Sequence, residues 1–252
     1  MFNEDFTRVL DGSVAKIGKV KNKPGTFFIS SIMAGMFVCF GLILSITIGG
    51  FYDGLPAMKP LMGLTFSAAL SLVYFAGSEL FTGNVFTLTS GILGNKVSIG
   101  DAIKAWALCY IGNFVGMILI SVIFLASNAP SEATLGAVTG LAVAKVAGTP
   151  LQLFLKGILC NIMICLATWI VGRTKSESAR LIMVVWIILI FFVSGFEHSI
   201  ANMGIFAMAL INPVNGAITM GAALNNILFV TIGNLVGGAL FVSLPYFIIS
   251  KE

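Results

Sequence analysis

Glu79, Glu197 and His198 stand inside otherwise apolar stretches of this chain, and His198 is its only histidine. Residues 77–84 read Gly-Ser-Glu-Leu-Phe-Thr-Gly-Asn and residues 195–202 read Gly-Phe-Glu-His-Ser-Ile-Ala-Asn, two copies of G-x-E-x-x-x-x-N that lie 118 positions apart. Ionisable groups this deep in apolar sequence cost on the order of several kcal/mol unless partnered, which makes them functional candidates. A glutamate beside a helix break can also accept the free backbone N–H groups of the next half-helix, as an N-cap does. That supporting role is the expectation for both Glu79 and Glu197. An imidazole titrates near neutrality and can give up and recover a proton, so His198 is read as functional. A single histidine with no cysteine cluster makes no ordinary zinc site, and no nucleophile stands beside a base. Neither an enzyme nor a cofactor is expected, and no nucleic-acid partner.

The elements that must hold these residues are membrane spans. Of the 252 residues 58% are hydrophobic and 10% charged, against about 25% charged in soluble domains. So few charges cannot coat a water-facing globule, and the lipid bilayer must be the solvent for most of the surface. Six apolar stretches are long enough to cross, at roughly 27–51, 60–93, 103–127, 150–172, 180–209 and 223–249. The second and fifth are overlong and are interrupted by the two G-x-E motifs. Residues 1–26 form an amphipathic segment expected on the cytoplasmic membrane surface, with Phe2, Phe6, Val9, Leu10, Val14 and Ile17 at near-helical spacing. No cleavable signal peptide is visible. Cys39, Cys109, Cys160 and Cys165 all lie in apolar runs and read as small core residues.

With six spans both termini share a side, and 11 of the 14 Lys and Arg residues fall on it. The excess of positive charge assigns that side to the cytoplasm, giving a multi-pass protein of the cytoplasmic (inner) membrane. A second repeated motif, Gly112-Asn113-Phe114-Val115-Gly116 and Gly233-Asn234-Leu235-Val236-Gly237, lies 121 positions apart. Two matches in one order at nearly one offset point to duplication. Each half, about 27–127 and 150–249, holds three spans, so the halves run in opposite directions as an inverted repeat, and the paired broken helices mark the transport site. The glycines of the second motif read as close helix packing.

At these residues the chain resembles the formate/nitrite transporter family. The resemblance covers nearly the whole length. It rests on Glu79-Leu80-Phe81-Thr82-Gly83-Asn84, on Ala144-Lys145-Val146, on Gly157-Ile158-Leu159-Cys160-Asn161 with Cys165-Leu166-Ala167, and on Gly195 through Met203. It implies an aquaporin-like all-α fold, a homopentamer with one pore per protomer, and passage of small monovalent anions such as formate, nitrite or hydrosulfide. Thr82 then lines a movable slit with Leu80 and Phe81, and His198 faces it at the pore centre. Glu79, Glu197, Gly83 and Asn84 support the helix breaks. Lys145 lies near the periplasmic entrance, where it could equally be an ordinary interfacial lysine. Asn161 and Asn202 supply polar contacts, and Phe66, Leu70, Ile164 and Phe191 form the apolar constriction. Glu-Leu-Phe-Thr-Gly differs from the Asp-Leu-Phe-Thr-Ser of the formate branch and favours the nitrite or hydrosulfide branch. A bare anion in an apolar ring is costly, whereas its neutral acid crosses easily, so the expected mechanism shares a proton at His198. A proton-coupled carrier with alternating access uses the same elements and stays open as an alternative. A water channel of the paired Asn-Pro-Ala type is not expected, because Asn212-Pro213 has no counterpart in the first half.

Overall fold

The computed structural model describes residues 3–212 and 217–251, so Phe2 and Pro213 lie outside the described residues. Among these the regular structure is helical: α1 (Asn3–Asn22), α2 (Pro24–Phe51), α3 (Met58–Phe75), α4 (Phe81–Leu93), α5 (Ile99–Ala126), α6 (Glu132–Val146), α7 (Pro150–Arg173), α8 (Glu177–Val193), α9 (Ser199–Ile211), α10 (Met220–Gly238) and α11 (Leu244–Ile249). The starts follow capping chemistry. Ser98, Ser131, Thr149, Ser176 and Thr219 each accept a hydrogen bond from a backbone N–H three residues on, which satisfies one of the donors a helix start leaves free. Pro24 opens α2 and Pro150 opens α7, where a missing N–H costs nothing. Residues 239–243 between α10 and α11 form a π-helical turn. The Ser243 hydroxyl there lies 3.0 Å from the Gly238 carbonyl and 3.2 Å from that of Phe86 in α4.

Among the described residues five helical stretches are long and apolar enough to cross a membrane: α2, α3, α5, α7 and Met220–Ile249. The expected count of six is met only when α8 and α9, of 17 and 13 residues, are taken together as one divided crossing. Both overlong stretches are broken at their G-x-E motifs, α3 from α4 at residues 76–80 and α8 from α9 at residues 194–198. Gly77 and Gly195 open the breaks with φ of 76° and 74°, a left-handed conformation that glycine adopts without a Cβ clash. Large apolar side chains such as Phe40, Ile123, Trp186, Ile190 and Leu228 cover the outer faces, as lipid or a second protomer requires.

The N-terminal segment differs from expectation. The apolar face of α1 is turned to the protein rather than to a membrane surface. Phe6 is buried against Trp169 and Phe247, and Ile17 packs with Leu88 and Val97. Ion pairs then pin the polar face: Lys16 to Glu79, Lys21 to Asp101 at 2.8 Å, and Asp5 to Arg173 at 3.2 Å. Aromatic burial and three specific charge partners outweigh what an amphipathic stripe gains by lying on headgroups.

Each half is cemented by backbone contact. A Cβ on Gly116 would stand 2.1 Å from the Ile32 carbonyl oxygen, and one on Gly237 would stand 2.3 Å from that of Ile158. The repeated glycines thus bring α5 onto α2 and α10 onto α7 without side chains between them. Gly116→Ala and Gly237→Ala are each expected to destabilise by at least about 1–3 kcal/mol, because the helices must separate. Thermal unfolding in mild detergent reads this directly. Unchanged midpoints would mean that the helices part more easily than their packing implies.

Candidate functional site

The two breaks are held by one set of contacts used twice. In the first, the Glu79 N–H donates to the Ser30 carbonyl at 3.3 Å, and its carboxylate accepts from Asn84 Nδ2 at 3.1 Å and from the Lys16 ammonium. Asn113 Nδ2 donates to the Glu79 carbonyl at 2.9 Å, while its Oδ1 accepts the Phe81 N–H at 2.9 Å. In the second, the Glu197 N–H donates to the Lys156 carbonyl at 3.2 Å. The Glu197 carboxylate accepts from Asn202 Nδ2 at 2.6 Å and from Lys145 Nζ at 2.8 Å. Asn234 Nδ2 donates to the Glu197 carbonyl at 3.0 Å, while its Oδ1 accepts the Ser199 N–H at 3.0 Å.

These contacts correct one expectation and add residues that spacing did not single out. Neither glutamate caps a half-helix. The first free N–H groups of α4 and α9 go to Asn113 and Asn234, and the carboxylates take lysine and asparagine side chains instead. The physical reason is charge. An ionised carboxylate in a low-dielectric setting gains more from an ammonium than from an amide N–H. The signal for the two asparagines lies in the repeated Gly-Asn-x-Val-Gly, whose glycines alone drew a reading. Lys16 escapes notice in the sequence because an amphipathic segment on the membrane surface would keep α1 apart from the breaks. It does for Glu79 what Lys145, in α6, does for Glu197. Gly83 and Asn84 are both in the first turn of α4, and a Cβ on Gly83 would stand 3.1 Å from Thr168 Oγ1.

His198 and Leu80 occupy matching positions before α9 and α4. Leu80 caps nothing with its side chain, whereas His198 Nδ1 accepts the Ala201 N–H at 3.1 Å. His198 Nε2 lies 3.0 Å from Thr82 Oγ1. With Nδ1 engaged as an acceptor, the hydrogen-bond pattern assigns the ring proton to Nε2, facing Thr82.

A cavity of about 260 Å³ opens beside this pair, lined by Lys59, Lys145, Lys156, Glu197, His198 and Asn202 among others. It narrows at Phe66 and Phe191, whose rings meet edge-on at 6.0 Å; Phe191 also lies 6.2 Å from the His198 ring. Beyond them is a void of only about 10 Å³, lined by Val38, Ala69, Leu70, Leu80, Ile164 and Ile188 together with Phe66, Phe191 and His198. That volume admits about one water. The four residues expected to form the constriction, Phe66, Leu70, Ile164 and Phe191, are therefore brought together, with Leu80 and His198 beside them. Three other pore candidates line neither cavity. The Phe81 ring meets Tyr110 edge-on, Asn161 Nδ2 donates to the Asn234 carbonyl at 2.6 Å, and the buried Thr82 hydroxyl stands behind His198, which does line both.

The chain that carries this arrangement matches known proteins along nearly its whole length. The profile of the formate/nitrite transporter family fits residues 5–248. The chain belongs to the formate/nitrite transporter family. It is 39% identical to the nitrite transporter NirC of Escherichia coli (strain K12), over 98% of this chain and 91% of that protein. It is 32% identical to the formate channel FocA of Haemophilus influenzae, over 88% and 86% of the two chains. Among solved structures, an FNT family ion channel superposes with a TM-score of 0.92 at 35% identity, covering 98% of each chain. A pentameric formate channel with formate bound superposes with a TM-score of 0.81 at 28% identity, covering 93% of this chain and 100% of that one. As a member of this family the chain is a membrane transport protein and not an enzyme, and the leaning toward the nitrite side agrees with the NirC likeness.

Proposed function

We propose that this protein conducts small monovalent anions of weak acids across the cytoplasmic membrane, nitrite or hydrosulfide before formate, through one pathway in each protomer of a homopentamer. The observation that carries the reading is the Thr82–His198 pair at 3.0 Å beside an apolar neck, with a lysine-lined cavity on one side and a closed slit on the other. Anions collect where Lys59, Lys145 and Lys156 face the cavity. At Phe66 and Phe191 water is stripped and a bare charge becomes costly. There the His198 ring is the polar group that reaches the path, with the Thr82 hydroxyl behind it at 3.0 Å. An imidazole that first takes up a proton from the water of the cavity can pass it to the anion through Nε2 and return to the neutral ring, and the anion then crosses the apolar ring as its neutral acid. Leu80 closes the path and must move for passage.

The larger cavity with its lysines is the periplasmic mouth, and both termini and α1 lie on the cytoplasmic side, as the distribution of Lys and Arg supports. The repeat unit takes in α1 and α6, because Lys16 and Lys145 serve equivalent glutamates. The first repeat then runs over about 3–126 and the second over about 132–249. On this reading the pore domain takes in α1 and begins before residue 27. A local movement at the slit is favoured over rocking of whole repeats, since Thr82 of one repeat and His198 of the other share a hydrogen bond.

The test is flux into liposomes with nitrite, hydrosulfide, formate, chloride and lactate. Nitrite, hydrosulfide and formate are expected to pass. Chloride, which has no weak acid to form, and the bulkier lactate should lag by at least about tenfold. Mass measurement in lipid discs should give five copies of 26.6 kDa. Equal flux of chloride, or a monomer conducting at full rate, would overturn the proposal.

A further inference from the structure

Tyr110 in α5 and Thr231 in α10 are 121 positions apart, the same offset as Asn113 and Asn234. Equivalent positions of the two repeats therefore meet, and their hydroxyls share a hydrogen bond at 2.7 Å. The Tyr110 ring in turn stands edge-on to Phe81, with centroids 4.9 Å apart and planes at 75°. Phe81 is the first residue of α4 and directly follows Leu80, which closes the small void. One face of α5 thus grips this point twice: Tyr110 holds the Phe81 ring, and Asn113, three residues on, holds its N–H. The second break keeps only the matching hold of Asn234 on the Ser199 N–H and has no ring contact at this position. Ser199 stands at the Phe81 position, and its buried hydroxyl has no partner.

We infer that Tyr110 is a positioning residue that latches the Leu80 slit shut, with its own ring fixed from the opposite repeat by Thr231. The latch acts where Leu80 leaves the path by a turn of the backbone at Leu80 and Phe81, because that turn pulls the Phe81 ring off Tyr110. The contact is therefore made in the closed slit and lost in the open one, so weakening it raises the open population. Thr231 ties the slit of the first repeat to the second repeat, which also supplies His198.

The inference rests on reading Leu80 as the closure, and the experiment separates the two. Nitrite flux is measured in liposomes for Tyr110→Leu, Tyr110→Phe, Thr231→Val, Tyr110→Phe with Thr231→Val, and Leu80→Val. Loss of an aromatic edge contact should raise flux roughly two- to tenfold in Tyr110→Leu. Tyr110→Phe keeps the ring and should raise flux less, by the same factor as Thr231→Val, with no further gain in the double variant because both remove one bond. Maximal flux should rise while the half-saturating nitrite concentration stays put, since the outer cavity is untouched; a merely destabilising change would lower the amount of assembled protein without this split. If Tyr110→Leu fails to assemble, Tyr110→Phe and Thr231→Val carry the same test. Wild-type flux in every Tyr110 and Thr231 variant, with Leu80→Val raised, overturns the latch and leaves the closure standing. Wild-type flux in Leu80→Val overturns the closure and the latch with it.

Discussion

Glu197→Gln is expected to lose about 3–5 kcal/mol of stability, the usual cost of removing one partner from a buried ion pair. Glu197 exposes only 7% of its side chain and Lys145 only 17%. Their contact belongs to a closed ring. Asn202 Nδ2 donates to Glu197 and, at 2.8 Å, to Asn226 Oδ1; Asn226 Nδ2 returns to the Lys145 carbonyl at 2.8 Å. Four side chains thereby join α6, α9 and α10. Neutralising the glutamate leaves the largely buried Lys145 ammonium at the cavity wall without its carboxylate partner. Adding Lys145→Met should recover much of the loss, since deleting both charges is far milder than deleting one. Glu79→Gln should cost less. Lys16 exposes 23% of its side chain, and it sits on α1 near the chain end, where it can turn to water. Thermal unfolding and the yield of assembled protein measure all three. A Glu197→Gln protein as stable as the parent, or no recovery in the double variant, would mean that the ring does not hold the second break.

His198→Asn should assemble normally and lose about 100-fold in nitrite flux at neutral pH, the lower end of what a positioned proton transfer supplies. The histidine has two jobs that this substitution separates. Its Nδ1 caps α9 through the Ala201 N–H, which asparagine does equally well. Its Nε2 proton faces Thr82, and asparagine has no group that titrates there. His198→Phe removes both jobs and leaves the Ala201 N–H buried without a partner, at about 1–3 kcal/mol, so its yield should fall below that of the asparagine variant. Nitrite and hydrosulfide protonate by themselves as pH falls, so raw profiles mix two titrations. The ratio of variant to parent flux between about pH 5 and 8 removes the contribution of the substrate. Under proton sharing that ratio changes steeply with pH. If His198 only braces Thr82 and α9, the ratio is flat, and a flat ratio would defeat proton sharing at this residue.

Much of the site is legible in the sequence because charge inside a membrane is rare. A glutamate or a histidine within an apolar stretch stands out, and the doubled G-x-E-x-x-x-x-N, which holds His198 and Asn202, locates both breaks from spacing alone. The glycines of the second motif announce close helix packing in the same way, since few other residues let two backbones touch. What spacing does not show is partnership. Asn113 and Asn234 take the free N–H groups of the half-helices, yet an asparagine in an apolar run carries no mark of the carbonyl or amide it will meet. Lys16 looks like one more positive charge in a cytoplasmic segment. Phe81 looks like a lining residue because its neighbours Leu80 and Thr82 are placed at the slit, but an α-helical start sends adjacent side chains in different directions, and its ring goes to Tyr110.

The sequence by itself determined the solvent, the all-helical membrane fold, the two breaks and the one residue able to exchange a proton near neutrality, because each follows from composition or from spacing along one chain. Only the tertiary structure decided which lysine answers which glutamate, that α1 packs on the protein beside the first break, that Leu80 and Ile164 line a void of only about 10 Å³, and that Tyr110 meets Thr231 across the two halves. Those are contacts between positions tens to more than a hundred residues apart. Their geometry depends on how close the helices come, and Gly116 and Gly237 set that distance through packing that no local pattern encodes.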